Sequence, residues 1–120
     1  YLDLPVPDDL NLPGSSFLPA LTGEPFHGRD NVVVYDEYGP VRMCRTREWK
    51  YVHRHAHGPH ELYNVVEDPG ERVNLVSESA QQRRIQEMRA TLEEWFARYA
   101  VPRRDGLRMD GMANGQTRRL

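Results

Sequence analysis

The chain has one cysteine, Cys44, in 120 residues. An internal disulfide framework is therefore excluded, although a single cysteine does not fix the compartment. Long apolar runs are missing as well. Nothing approaches the roughly 18 consecutive apolar residues that a membrane helix needs. No basic-then-apolar leader opens the sequence, which begins Tyr1-Leu2-Asp3-Leu4-Pro5 without Met. That opening predicts a piece of a larger protein. Charge of one sign is also lacking. Sixteen Lys and Arg against 18 Asp and Glu leave a net charge of −2, which gives no reason to expect a nucleic-acid partner. Lysine itself is nearly absent, with Lys50 the only one. We read the arginine excess as composition rather than chemistry. Recurrent site motifs are wanting too. There is no Gly-rich phosphate loop, no Cys-x-x-Cys, no His-Glu-x-x-His and no Gly-x-Ser-x-Gly.

What remains is one modest domain. Apolar residues make up 38% and charged residues 28%, polar for a globular chain but not enough for disorder. The length allows one domain with a limited core. Residues 1–30 read as an irregular arm, because Pro5, Pro7, Pro13, Pro19 and Pro25 interrupt any long helix. One short helical turn is expected near Leu18, capped by Ser15 or Ser16. Apolar residues recur between the prolines, so Phe17, Leu18 and Leu21 are expected to dock on a core.

Residues 31–100 carry the domain. Asn31 to Glu37 holds Val32, Val33, Val34 and Tyr35, types that favour a strand. Asp36 to Pro40 is a turn. Val41 to Arg47 is a second strand. Met43 alternates with Arg42 and Cys44 along it, giving one greasy and one mixed face. Trp49 to Arg54 is a third, with Trp49, Tyr51 and His53 on one face and Lys50, Val52 and Arg54 on the other. A loop at Gly58-Pro59 leads to a fourth, Glu61 to Val66. Connections this short require antiparallel neighbours, since parallel strands need a crossover of about a dozen residues. Asp68-Pro69-Gly70-Glu71 is a turn in which Gly70 supplies the backbone freedom.

A helix follows, reaching about Ala100, with Ser79 and Gln82 as a capping box and Ser77 as the rival cap. Ile85, Met88, Leu92, Trp95, Phe96 and Tyr99 form one stripe at helical spacing. The predicted fold is α+β: a four-stranded antiparallel sheet packed by one long C-terminal amphipathic helix. Pro102 ends the helix. Residues 101–120 form a tail rich in Gly and Arg without periodicity, which we expect contacts to hold.

Candidate chemistry is thin. His53, His55 and His57 would share a face of an extended strand, where three imidazoles can hold a divalent metal. A histidine-rich solvated loop is the competing reading, favoured by the break at Gly58-Pro59 and by the lack of a Cys or carboxylate at ligand spacing. Cys44 could be a nucleophile, but an unpaired strand cysteine is more often a small core residue. Trp49, Tyr51, Trp95, Phe96 and Tyr99 suit core packing better than a ligand stack. Glu93 and Glu94 read as a solvated helix face.

Three stretches carry a family resemblance. They are Pro13-Gly14-Ser15-Ser16-Phe17-Leu18-Pro19-Ala20-Leu21-Thr22-Gly23, then Arg45-Thr46-x-x-Trp49-Lys50-Tyr51-Val52, then Glu61-Leu62-Tyr63-Asn64-Val65-x-x-Asp68-Pro69-x-Glu71-x-x-Asn74-Leu75. Over residues 8–100 the chain resembles the C-terminal subdomain of the sulfatase family, in the alkaline-phosphatase-like superfamily. The resemblance implies a small sheet and helix docked on a large catalytic domain. That domain would carry a formylglycine, made from Cys or Ser in a Cys/Ser-x-Pro-x-Arg motif, and a divalent cation, usually Ca²⁺. Here Cys44 is followed by Arg45-Thr46-Arg47, and Ser15, Ser16, Ser77 and Ser79 fail the same test. No catalytic residue of the family maps onto this sequence. The implied role is support of a catalytic partner, or self-association. The Asp36–Pro40 and His55–His60 loops would lend Glu37, Tyr38 and His57 to the rim of the substrate cleft. A free-standing interaction domain and a histidine-based metal module are the alternatives.

Overall fold

The computed structural model describes residues 11–36, 40–55, 58–105 and 107. Strands β1 (Val32–Tyr35), β2 (Val41–Arg45), β3 (Trp49–Arg54) and β4 (Glu61–Asn64) form one sheet in the order β1-β2-β3-β4, each pair antiparallel. The 18-residue helix α2 (Gln82–Tyr99) packs across β2 and β3. The α+β fold expected from the sequence is the one observed.

Local chemistry sets the strand ends. Between β2 and β3, Thr46 closes a tight turn. Its hydroxyl accepts the amides of Glu48 and Trp49 at 3.3 and 3.0 Å, while its own N–H donates to the Trp49 carbonyl at 2.8 Å. At the end of β4, the side-chain Oδ1 of the buried Asn64 accepts the amides of Val66 and Glu67, both at 3.1 Å. Those amides are thereby withdrawn from the ladder, so β4 stops two residues short of the Val66 read from the sequence. In the following turn Asp68 Oδ2 accepts the amides of Arg72 and Val73. The left-handed backbone falls on Glu71 (φ 52°) and not on Gly70. Glu71 reaches back across the sheet to Lys50, 2.5 Å from Nζ, and that ion pair favours the unusual conformation.

Asn74 stitches the turn to the sheet. Its Oδ1 accepts from Leu62 N–H at 3.0 Å and Val76 N–H at 3.1 Å, and its Nδ2 donates to the His60 carbonyl. This side chain substitutes for a fifth strand along β4.

The core lies between the sheet and α2. Cys44, Trp49, Tyr51 and Leu62 from the sheet meet Met88 and Leu92 from the helix, with Val33, Leu75, Val76, Ile85 and Phe96 packed around them. Burying such a set at ~25 cal/mol per Å² of apolar area is the main stabilising contribution. The expected helix stripe is therefore correct at its centre. Towards its C-terminal end, Trp95 and Phe96 also join Tyr35 in an aromatic cluster with ring centroids 4.9–5.8 Å apart.

Two expectations need correction. The capping box is not made: a 3-10 turn (Ser79–Gln81) precedes α2, no side chain caps either element, and Gln82 Nε2 points to the Val76 carbonyl at 3.4 Å. The tight 3-10 turn takes up the residues that would have formed the box. The arm forms helix α1 (Leu18–Thr22), but Phe17 and Leu21 are 60% and 70% exposed, so they do not face the core. Phe17 packs instead on Phe26 at 5.5 Å, and a hydrogen bond from Asn11 to the Arg98 carbonyl ties the arm to the end of α2. In β2 it is the mixed face, Arg42 and Cys44, that turns to the helix, leaving Met43 on the opposite side.

Candidate functional site

The expected rim loops spring from the same end of the sheet. Asp36 N–H donates to the Val41 carbonyl and Val41 N–H donates to Asp36 Oδ1, closing the β1–β2 connection. His55 N–H donates to the Pro40 carbonyl at 2.8 Å, so the second loop starts against the first. Glu37, Tyr38 and His57, the three residues assigned to the rim, lie outside the described residues. What the structure contributes is the adjacency of their loops, which the β2–β3 hairpin imposes through the pairing Val41 to Arg54.

Below these loops, on the helix side, sits a polar cluster that sequence reasoning saw only in part. His53 is buried, and its Nδ1 lies 2.9 Å from the buried hydroxyl of Tyr51. The His60 ring stacks on His53 with centroids 4.3 Å apart, and His55 meets His53 edge-on at 4.5 Å. His60 Nδ1 accepts the Arg54 amide at 3.2 Å. Burial, then the neighbouring His55, His60 and Arg89, push the His53 pKa down to about 4. Burial and Arg42 lower that of His55 in the same way. At neutral pH His53 is therefore uncharged imidazole.

Arg42 is the cluster's buried cation. Its guanidinium pairs with Asp105 at 3.1 Å and lies 3.6 Å from the centre of the Phe96 ring. Burial lowers its pKa, and Asp105 and Asp36 oppose that shift. Asp105 lies beyond the helix, in the stretch read from the sequence as a tail without period, so its pairing with Arg42 had no sequence signal. Arg42, His53, His55, Arg89, Leu92 and Glu93 enclose a cavity of about 30 Å³, room for one water.

Of His53, His55 and His57, the three residues named as metal ligands, His57 lies outside the described residues. Among the described residues no group of three or more His, Cys, Asp or Glu side chains is placed to hold a metal ion. His53 and His60 stack face to face, and each has Nδ1 occupied by a hydrogen bond. Cys44 is 1% exposed, and burial pushes its thiol pKa up. It lines a cavity of about 200 Å³ with Trp49, Met88 and Arg84, whose guanidinium covers the Trp49 ring at 4.0 Å. A protonated core thiol does not fit the formylglycine role, which needs an accessible side chain.

Comparison with known proteins fixes the relationship. No family model matches the chain. A Δ4,5-hexuronate-2-O-sulfatase of Bacteroides thetaiotaomicron is 35% identical over 92 residues, covering 71% of this chain and 19% of that protein. A solved 2-O GAG sulfatase superposes with TM-score 0.65 at 33% identity, over 80% of this chain and 22% of that one. A second solved structure from Bacteroides thetaiotaomicron, provisionally assigned as a sulfatase, gives TM-score 0.66 at 31% identity, over 85% and 25%. The chain thus spans about a fifth to a quarter of the length of the relatives it matches. The match takes in most of this chain and a small part of each relative: the chain belongs to the sulfatase family, as its C-terminal subdomain.

Proposed function

We propose that this chain is the non-catalytic C-terminal subdomain of a sulfuric ester hydrolase, supporting a separate catalytic domain and forming part of the rim of its substrate cleft. The observation that carries the reading is the likeness to sulfatases over most of this chain but only about a fifth of theirs. The sequence adds that no Cys or Ser stands in the motif from which a formylglycine is made. The divalent cation and the formylglycine would belong to the catalytic domain, where they supply the nucleophile and the neutralisation of sulfate charge. The two relatives named above by activity act on 2-O-sulfates, which favours a sulfated uronic-acid sugar as the substrate of the parent enzyme.

The rim role rests on the two loops meeting at one end of the sheet. Loops held by a rigid scaffold are where specificity residues concentrate. Assay of the isolated chain on an aryl sulfate with Ca²⁺ tests the non-catalytic reading, and turnover above background would overturn it. In the parent enzyme, Tyr38→Ala and His57→Ala should raise KM with little change in kcat. Unchanged KM in both would remove the rim role.

A further inference from the structure

Arg84 differs from the arginines on either side of it along α2. Arg83 and Arg89 each pair with the glutamate four residues on, Glu87 at 2.9 Å and Glu93 at 2.8 Å. Four residues beyond Arg84 stands Met88, a core side chain, so the same pairing is closed to it. Among the described residues Arg84 forms no ion pair. Its Nε donates to Gln81 Oε1 at 3.3 Å, and its guanidinium lies 4.0 Å from the centre of the Trp49 ring.

This cation sits on the cavity of about 200 Å³ beside the β2–β3 turn, at the end of the sheet opposite the rim loops. Cys44, Trp49 and Met88 supply the apolar walls, and Thr46 and Glu87 part of the polar edge. The Glu87 carboxylate is engaged by Arg83. Trp49 brings an unmet donor. It is 7% exposed, and its buried Nε1 has no hydrogen-bond partner, the one such side-chain atom among the described residues. Buried donors are rarely left so, because the hydration given up is not replaced. A guanidinium without a carboxylate and an indole N–H without an acceptor are both satisfied by an anionic oxygen.

Size and walls narrow the rest of the ligand. A cavity of about 150 Å³ is enough for benzene, and the additional space here accommodates a carboxylate. Walls of indole and sulfur favour a flat, polarisable ring. We propose that the cavity between the β2–β3 turn and the first half of α2 binds a small aromatic acid. Its ring lies against Cys44, Met88 and Trp49, and Arg84 and Trp49 Nε1 take its carboxylate. Arg84 covers the indole in the empty site, so it swings aside to admit the ring and then closes on the carboxylate. The site is separate from the rim loops and does not rest on the sulfatase reading.

The test follows the indole N–H resonances of the 120-residue chain by NMR. There are two, from Trp49 and Trp95, told apart with Trp95→Phe. The chain is titrated with benzoate, benzamide and acetate. Benzoate should move the Trp49 indole proton downfield in a saturable way and leave that of Trp95 in place. Benzamide keeps the ring without the charge, and acetate the charge without the ring. Each should bind at least about tenfold more weakly than benzoate. Arg84→Gln, checked for unchanged circular dichroism, should weaken benzoate by at least about tenfold. Absence of a saturable shift at Trp49, or equal binding of benzoate to Arg84→Gln, overturns the site. Benzamide or acetate binding as tightly as benzoate overturns the assignment of an aromatic acid.

Discussion

Acid should loosen this domain through His53, and the size of the effect follows from its surroundings. The folded pKa is about 4 and the ordinary value 6.5. A histidine depressed in this way contributes nothing above the unfolded pKa, where both states are neutral. As pH falls through 6.5 the unfolded chain takes up a proton that the folded chain refuses. Stability is therefore lost progressively from about pH 6.5 down to about pH 4 and is constant, at the lower level, below that. A tenfold difference in proton affinity between the two states corresponds to about 1.4 kcal/mol, so the two pKa values give a loss of about 2 kcal/mol between pH 7.5 and pH 5. The cause is local. Protonation would place a cation in a buried position against His55, His60 and Arg89, with Glu93 alone favouring it. It would also fix the Nδ1 that faces the Tyr51 hydroxyl as a donor. Urea unfolding at pH 7.5, 6.0 and 5.0 measures the slope, and His53→Gln, which cannot titrate, supplies the comparison. The variant should lose about 2 kcal/mol less than the parent over that range. Parallel pH profiles for the two, or an NMR titration placing the His53 midpoint near 6.5, would refute the reasoning.

Two further changes probe packing and stitching. Leu92→Ala removes a side chain that is 3% exposed at the centre of the helix–sheet contact, and should cost about 2–5 kcal/mol in chemical denaturation. A loss below about 1 kcal/mol would mean that the helix is not the main cover of the sheet. Asn74→Ala leaves the Leu62 and Val76 amides and the His60 carbonyl without their partner. It should cost about 1–3 kcal/mol and speed hydrogen exchange at Leu62 first, an order that exchange measured by NMR checks directly.

How much of this could be read from residues differs between elements. The strands and α2 were legible because β-branched runs, short connections and a helical apolar stripe leave few alternatives. β3 was bounded without error, since Thr46 and Gly58-Pro59 bracket it in the sequence. Within the described residues the other strands were each overextended by two residues. Their ends are set by amides taken out of the ladder, as Asn64 takes those of Val66 and Glu67, and no periodicity records that competition. The candidate site was legible only as a count of histidines. That His53 is buried and His60 stacks on it depends on β3–β4 pairing and on the loop between them, long-range facts with no local signature. The burial of Arg42 had no local signal for the same reason: Asp105, 63 residues away, and the Phe96 ring make it a core residue.

The face of β2 that would meet the helix was the hardest feature to read, and the difficulty has a physical origin. Binary patterning identifies an inner face only when the other face is polar. Here Val32 and Val34 point one way and Val33 and Tyr35 the other, so β1 offers no contrast. In β2 the face with Met43 is the greasier of the two, yet it is turned away from the helix. Arg42 is tolerated on the helix side because Asp105 and Phe96 cover it. Burying a guanidinium is costly even when it is paired, so the cover supplied by residues 54 and 63 positions away is what lets the mixed face turn inwards, and no pattern within β2 itself can announce it.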